Sequence, residues 1–207
     1  MSRVSATRTL ENALRRSGFD RVAGVDEVGR GCLAGPVTAC AVILDPARHI
    51  RGLADSKLVP ADERADLYEE IVRHALAWAV ASSDPSDIDR LNIHQASLDA
   101  MRRAVLALNP LPHAVLVDAF RIPGLSMTQR GVKGGDRRCA AIAAASIVAK
   151  VTRDREMVAL HARDPRYGFE RHKGYATAEH RAAVARFGYS DAHRRSFKPT
   201  RLFDTMA

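Results

Sequence analysis

The chain has 207 residues, a formal net charge of +8, 46% hydrophobic residues and 5% aromatic residues. That length suits one well-buried core with a small appendage and is short for two independent enzyme domains. No apolar run approaches the roughly 18 residues of a membrane span, and Met1 to Leu10 has no apolar core of a signal sequence, so a soluble, cytoplasmic protein is expected. Cys32, Cys40 and Cys139 are odd in number and form no Cys-x-x-Cys pair, which argues against a disulfide framework and a thiolate zinc site. Charge is uneven: residues 1–120 hold 14 Lys+Arg against 16 Asp+Glu, while residues 121–207 hold 18 against 8. An acidic half joined to a basic half suggests a carboxylate centre served by a polyanion-holding surface.

Val22, Ala23 and Val25 read as a short buried strand that runs into Asp26-Glu27 and then the turn Gly29-Arg30-Gly31. Successive strand side chains point to opposite faces, so strand geometry alone does not aim both carboxylates at one point. Val37 to Leu44 is a second apolar run, stopped by Asp45-Pro46, and the two strands suggest a hairpin. From Pro60, Leu67, Tyr68, Ile71, Val72 and Ala75 recur at helical spacing, and Ala77 to Ala81 offers a third strand. After Asn92, Ile93, Ala96, Ser97, Ala100, Met101, Ala104, Val105 and Leu108 predict a longer helix that ends at Asn109-Pro110. Ala114 to Val117 is a compact strand delivering Asp118 at its end. The polar, Gly- and Pro-containing stretch from Phe120 to Gly135 reads as a loop with room for one strand near Val132, and it leads into Asp136. Residues 139–151 form helices readily and are small, which lets a helix lie close to a sheet. Thr177 to Phe187 is a last amphipathic helix with Thr177 as N-cap, followed by a basic tail from His193 to Lys198.

Strand ends and helix starts thus supply Asp26, Glu27, Asp118 and Asp136 in apolar surroundings. Converging carboxylates repel one another unless cations neutralise them, and their oxygens suit Mg²⁺ or Mn²⁺. Taken singly, Asp136 also suits a helix N-cap and Asp118 the first residue of a turn. The Gly-rich turns could cradle a nucleotide phosphate, but no Gly-Lys-Ser/Thr follows them. A nucleic-acid-binding module without catalysis, its carboxylates paired to arginines, is a further alternative.

The stretch Ala23-Gly24-Val25-Asp26-Glu27-Val28-Gly29-Arg30-Gly31 resembles the signature of the ribonuclease HII family. So do Asp55-Ser56-Lys57, Val115 to Asp118, Lys133-Gly134-Gly135-Asp136, Ala143 to Arg155, Tyr167-Gly168-Phe169, His172-Lys173-Gly174-Tyr175 and His193 to Phe197, in the family's order. Leu58 stands where the family usually has a second lysine, Ala119-Phe120 replaces a frequent Gly-Asn, and Gly134-Gly135 replaces a single glycine. The related HIII type normally carries an additional N-terminal substrate-binding domain, and only about 20 residues precede the motif here, so HII is preferred.

The resemblance implies an α/β fold: an RNase H-like core with a five-stranded mixed sheet, its second strand antiparallel, helices on both faces and a C-terminal helical extension. The whole chain would be one such domain, with 1–19 as a lead-in and about 160–207 as a basic, helical substrate-binding portion. It further implies a metal-dependent endonuclease acting on RNA/DNA hybrid and on duplex DNA with embedded ribonucleotides, in ribonucleotide excision and RNA primer removal. Two Mg²⁺ or Mn²⁺ ions, roughly 4 Å apart at Asp26, Glu27, Asp118 and Asp136, would leave a 5′-phosphate and a 3′-hydroxyl. A metal-lowered water pKa makes a histidine base unnecessary, so His94, His113, His161, His172 and His180 default to structural or surface roles. In similar enzymes the Gly29-Arg30-Gly31 backbone reads the 2′-hydroxyl, the group that distinguishes RNA from DNA, and Tyr175 is expected to stack on the following deoxyribose. Lys57, Ser146 and Lys150 are candidate phosphate contacts, and Arg194, Arg195 and Lys198 are expected to track the duplex backbone. Arg153 and Arg155 could equally be surface partners of Asp154 and Glu156. A monomer is expected, and a replication partner is not readable from the residues.

Overall fold

A computed structural model describes residues 5–197. The apolar runs form a five-stranded sheet in the order β3-β2-β1-β4-β5, made of β1 (Val22–Val28), β2 (Val37–Leu44), β3 (Ala75–Ser83), β4 (Ala114–Asp118) and β5 (Thr128–Val132). The expected hairpin is present: β1 pairs antiparallel with β2, which pairs antiparallel with β3. On its other side β1 runs parallel to β4, and β4 parallel to β5.

Two apolar layers cover this sheet, and strand alternation assigns residues to each. Val22, Cys40 and Val42 pack with α5 (Ala140–Arg163), and with Leu67 and Ile71 of α2 (Ala61–His74). Ala23, Val25, Ala41 and Ile43 pack on the opposite face with Ala100, Met101, Ala104 and Val105 of α4 (Ile93–Leu106). Asn92 starts α4 as its cap, its Oδ1 accepting from the amides of His94 and Gln95. The small-residue reading of 139–151 is explained at Gly24, where a Cβ would collide with the backbone of Ala141 and Ile142. Glycine there lets α5 lie against the centre of the sheet.

Two helices were not expected, α1 (Thr9–Arg16) and α3 (Pro85–Leu91). Glu11 of α1 is buried, and its Oε1 accepts from the Ala141 amide at 2.8 Å. A carboxylate from elsewhere in the chain therefore satisfies the start of α5, whose N-cap Cys139 makes no side-chain cap bond. Asp136 is thus not the cap; it lies in a 3₁₀ turn (Gly135–Arg137) just before the helix. Helix α5 also continues well past residue 151, for 24 residues in all. Beyond it come α6 (Phe169–His172) and α7 (Ala178–Phe187), and Thr177 caps α7 through the His180 amide as expected. Lys198 lies outside the described residues.

Candidate active site

Strand β1 extends through Val28, so Asp26 and Glu27 sit within the strand and point to opposite faces of it. Asp26 faces the α5 side, near Ser146, whereas Glu27 lies near Arg30, with Glu27 Oε1 3.5 Å from Arg30 Nε. Adjacent β4 ends in Asp118, and the turn before α5 supplies Asp136. All four nevertheless line one cleft of about 280 Å³ at this end of the sheet, together with Gly29, Arg30, Gly31, Lys57, Ser146, Lys150 and Tyr175. Ser56 lines it too and accepts a hydrogen bond from Ser146 at 2.9 Å. None of the eight histidines does.

The carboxylates share a cleft without forming a preassembled ligand cluster: among the described residues no group of three His, Cys, Asp or Glu is arranged to hold a metal ion. Asp26 Oδ1 accepts from the Glu27 amide at 2.8 Å, and Asp118 Oδ1 accepts from the Gly135 amide at 2.7 Å. The latter bond ties the end of β4 to the turn bearing Asp136. It also accounts for the Gly-Gly departure: Gly134 adopts φ 62°, and a Cβ on Gly135 would meet Ile142 Cδ1 at 2.5 Å.

The electrostatics of this cleft call for a cation. Burial pushes the Asp26 carboxyl well above the usual range, and the charges of Glu27 and Asp118 push it further against the pull of Ser146. Burial likewise lifts Glu27 to about 7, in spite of Arg30. Asp136 is raised by burial and then by Asp55 and Asp118. Glu27 Oε2 is in addition buried with no hydrogen-bond partner. An orphaned buried carboxylate oxygen beside mutually destabilised carboxyls fits a hard divalent cation.

The glycines of the turn are unequal. Gly29 has φ 90°, and a Cβ there would strike the Arg153 side chain. Gly31 faces open space, with no heavy atom of the protein within 4 Å of an added Cβ, so a bare backbone is presented to whatever enters the cleft. Across the cleft, Tyr175 is 38% exposed, and Lys150 Nζ lies 5.8 Å from its ring centroid and 2.8 Å from Asp154.

Two arginines depart from expectation. Arg194, expected to track the duplex backbone, is 1% exposed, and it donates to the carbonyls of Gly35 and Arg30 at 3.0 Å each. It supports the turn from within and cannot reach a phosphate. Arg153, weighed as a surface ion-pair partner, is fully buried and donates to the carbonyls of Pro36, Lys173 and Ala34. Its position was nonetheless readable: Ser146, Lys150 and Arg153 follow i, i+4, i+7 spacing on one face of α5. Arg155 stays on the surface, over the Tyr68 ring and 3.4 Å from Glu69. Arg195 is exposed, its amide held by Asp89 at 2.9 Å.

A mixed sheet bearing an acidic cleft beside a bare glycine turn, with Arg30, Lys57 and Lys150 lining the same cleft, defines a nuclease-like centre on an RNase H-like fold. The family profile described as Ribonuclease HII matches residues 23–200. The ribonuclease HII of Chromohalobacter salexigens is 56% identical over 90% of this chain and 93% of its own length. Among solved structures, ribonuclease H2 from Pyrococcus horikoshii superposes with a TM-score of 0.73 at 24% identity, covering 89% of this chain and 97% of that one. The Archaeoglobus fulgidus RNase HII, solved in complex with PCNA, superposes with a TM-score of 0.71 at 26% identity, covering 86% and 95%. The chain belongs to the ribonuclease HII family. It is accordingly a ribonuclease H, an endoribonuclease of RNA/DNA hybrids.

Proposed function

We propose that the chain hydrolyses the phosphodiester on the 5′ side of a ribonucleotide, in hybrids and in duplex DNA with embedded ribonucleotides, leaving 5′-phosphate and 3′-hydroxyl ends. Asp26, Glu27, Asp118 and Asp136 would hold two Mg²⁺ or Mn²⁺ ions. The single observation that carries this reading is the shared cleft in which an unpartnered Glu27 oxygen and raised carboxyls face the Gly29–Gly31 turn. Such ions, when bound, would polarise the phosphate and lower the pKa of the attacking water. The chain's own residues do the rest. The Gly29-Arg30-Gly31 backbone reads the 2′-hydroxyl, with no Cβ at Gly31 to obstruct the approach, Tyr175 stacks on the next sugar, and Lys57, Ser146 and Lys150 bind phosphate oxygens. Arg195 contacts the duplex backbone outside the cleft.

The working unit proposed is a monomer. Three buried free cysteines support residence in a reducing compartment, the cytoplasm, with ribonucleotide excision and RNA primer removal as the work done there. The test is gel analysis of a DNA duplex with one labelled ribonucleotide. A single cut 5′ of the ribonucleotide with Mg²⁺ or Mn²⁺ is expected, abolished by chelator. Cleavage undiminished in EDTA would overturn the metal assignment.

A further inference from the structure

Behind Tyr175, outside the cleft, lie three buried histidines that catalysis does not use: His172, His180 and His193. Their hydrogen bonds form a chain with one direction. The Ser190 amide can only donate, and it donates to His193 Nδ1 at 3.0 Å. His193 therefore carries its proton on Nε2, which lies 3.1 Å from His180 Nε2. His180 must accept there and carry its own proton on Nδ1, which reaches the Tyr175 carbonyl at 2.9 Å. The third ring stacks on the second, centroids 4.4 Å apart and planes 13° from parallel. His172 Nδ1 accepts from the Gly174 amide at 3.2 Å, and its Nε2 donates to the Tyr167 carbonyl at 2.7 Å.

Each ring is thus fixed in one neutral tautomer by partners that cannot reverse roles. A neutral imidazole offers one donor and one acceptor on a rigid frame, which this geometry requires at all three positions. What the chain holds is specific: the amide of Gly174 and the carbonyl of Tyr175, in a turn where Lys173 and Gly174 both have positive φ, 51° and 84°. The same turn is pinned to the glycine-turn segment, because Leu33 donates its amide to the Gly174 carbonyl at 2.9 Å.

We infer that His172, His180 and His193 are positioning residues that hold the Gly174–Tyr175 turn so that the Tyr175 ring stands over the cleft, and that they set the enzyme's action at ribonucleotide junctions through that ring. The inference rests on the stacking role given to Tyr175 above. None of the three touches the substrate.

A double-mutant cycle tests it, using the full chain at pH 8 with Mg²⁺ and a duplex carrying one ribonucleotide. His193→Phe keeps the ring volume and removes the donor to His180, and kcat/KM is expected to fall about tenfold. His193→Gln, which retains a donor at similar reach, is expected to restore cleavage to within about threefold of wild type. In a Tyr175→Ala background, His193→Phe should add no further loss. A full loss in that background, or a Gln variant no better than Phe, would overturn the inference. If His193→Phe does not fold by circular dichroism, His180→Asn against His180→Leu takes its place, Asn keeping the donor to the Tyr175 carbonyl. Histidine ¹⁵N spectra of the wild-type protein supply a readout free of activity: one Nδ1–H and two Nε2–H neutral tautomers are expected among the three rings, and any other assignment overturns the chain. Wild-type cleavage by the single Tyr175→Ala variant would remove the stacking role itself, a result visible before any histidine is changed.

Discussion

Arg194 Nη1 donates to the carbonyl of Arg30 at 3.0 Å across a separation of 164 residues, so the C-terminal segment holds the backbone of the turn beside the carboxylates of the cleft. Removing that guanidinium leaves the Gly35 and Arg30 carbonyls buried without their donor. Arg194→Met is expected to lower unfolding free energy by about 2–3 kcal/mol in urea titrations while leaving the salt dependence of duplex binding unchanged. Arg195→Ala should do the opposite, preserving stability and reducing the slope of log K against log salt by about 1.

The acidic cleft makes a separate forecast. Asp26→Asn and Asp118→Asn keep side-chain volume and remove one negative charge, so turnover should fall by about a hundredfold or more with the circular dichroism spectrum unchanged. Because Asp26 is buried among other carboxylates, its amide variant should melt no lower than wild type in metal-free buffer. Comparable turnover in both variants would end the assignment.

The two turn glycines should separate fold from chemistry. Gly31→Ala enters open space and is expected to leave the melting temperature within a few degrees while depressing cleavage at a ribonucleotide. Gly29→Ala forces a side chain into φ 90° against Arg153 and should cost stability and cleavage together. Thermal melts alongside the gel assay distinguish them.

At Tyr175 the ring, not the hydroxyl, carries the expected role. Tyr175→Phe should be mild and Tyr175→Ala severe in junction cleavage; the reverse ordering would remove the stacking interpretation.

Acid should destabilise the protein through its buried histidines. Burial lowers all three imidazoles below their ordinary value, His193 to about 4, with the charge of His180 adding to it at His193 and that of His172 at His180. Glu179 and Asp164 pull the other way, while Arg171 and Lys173 oppose protonation of His172. At His193 the unfolded chain then binds more protons than the folded one between pH 6.5 and 4, so its contribution to stability is complete above 6.5 and is lost as pH falls through that window. The His193 contribution is on the order of 2 kcal/mol after allowance for screening. The raised carboxyls of Asp26 and Glu27 act in the opposite sense over the same range, so the histidine contribution is read as a difference: urea midpoints should fall more steeply with acid for wild type than for His193→Gln.

The elements legible in the sequence are those whose burial is written locally. β1, β2 and β4 are apolar runs bounded by turn residues, and α4 repeats its apolar positions without interruption. β5 has a single buried residue, Val132, on an exposed edge, and so leaves little pattern. In α1 it is a glutamate, Glu11, that is buried, which inverts the usual signal. The second half of α5 hides behind the charged run Arg153 to Glu156, although Arg153 is as buried as any alanine before it. Lys57, Ser146, Lys150 and Tyr175 were reached through the family resemblance, whereas Asp118 and Asp136 were readable because one ends an apolar run and the other follows a glycine pair. The inward course of Arg194 was not, since it depends on carbonyls near the other end of the chain that no local periodicity announces.

The clasp between Arg194 and Arg30 also fixes a sequence of events during synthesis. A polypeptide emerging from the ribosome N-terminus first exposes all four acidic side chains, and the sheet that carries them, well before position 194 is translated. The hydrogen bond that steadies the Arg30 carbonyl therefore forms only after the residues of the acidic cleft have left the ribosome.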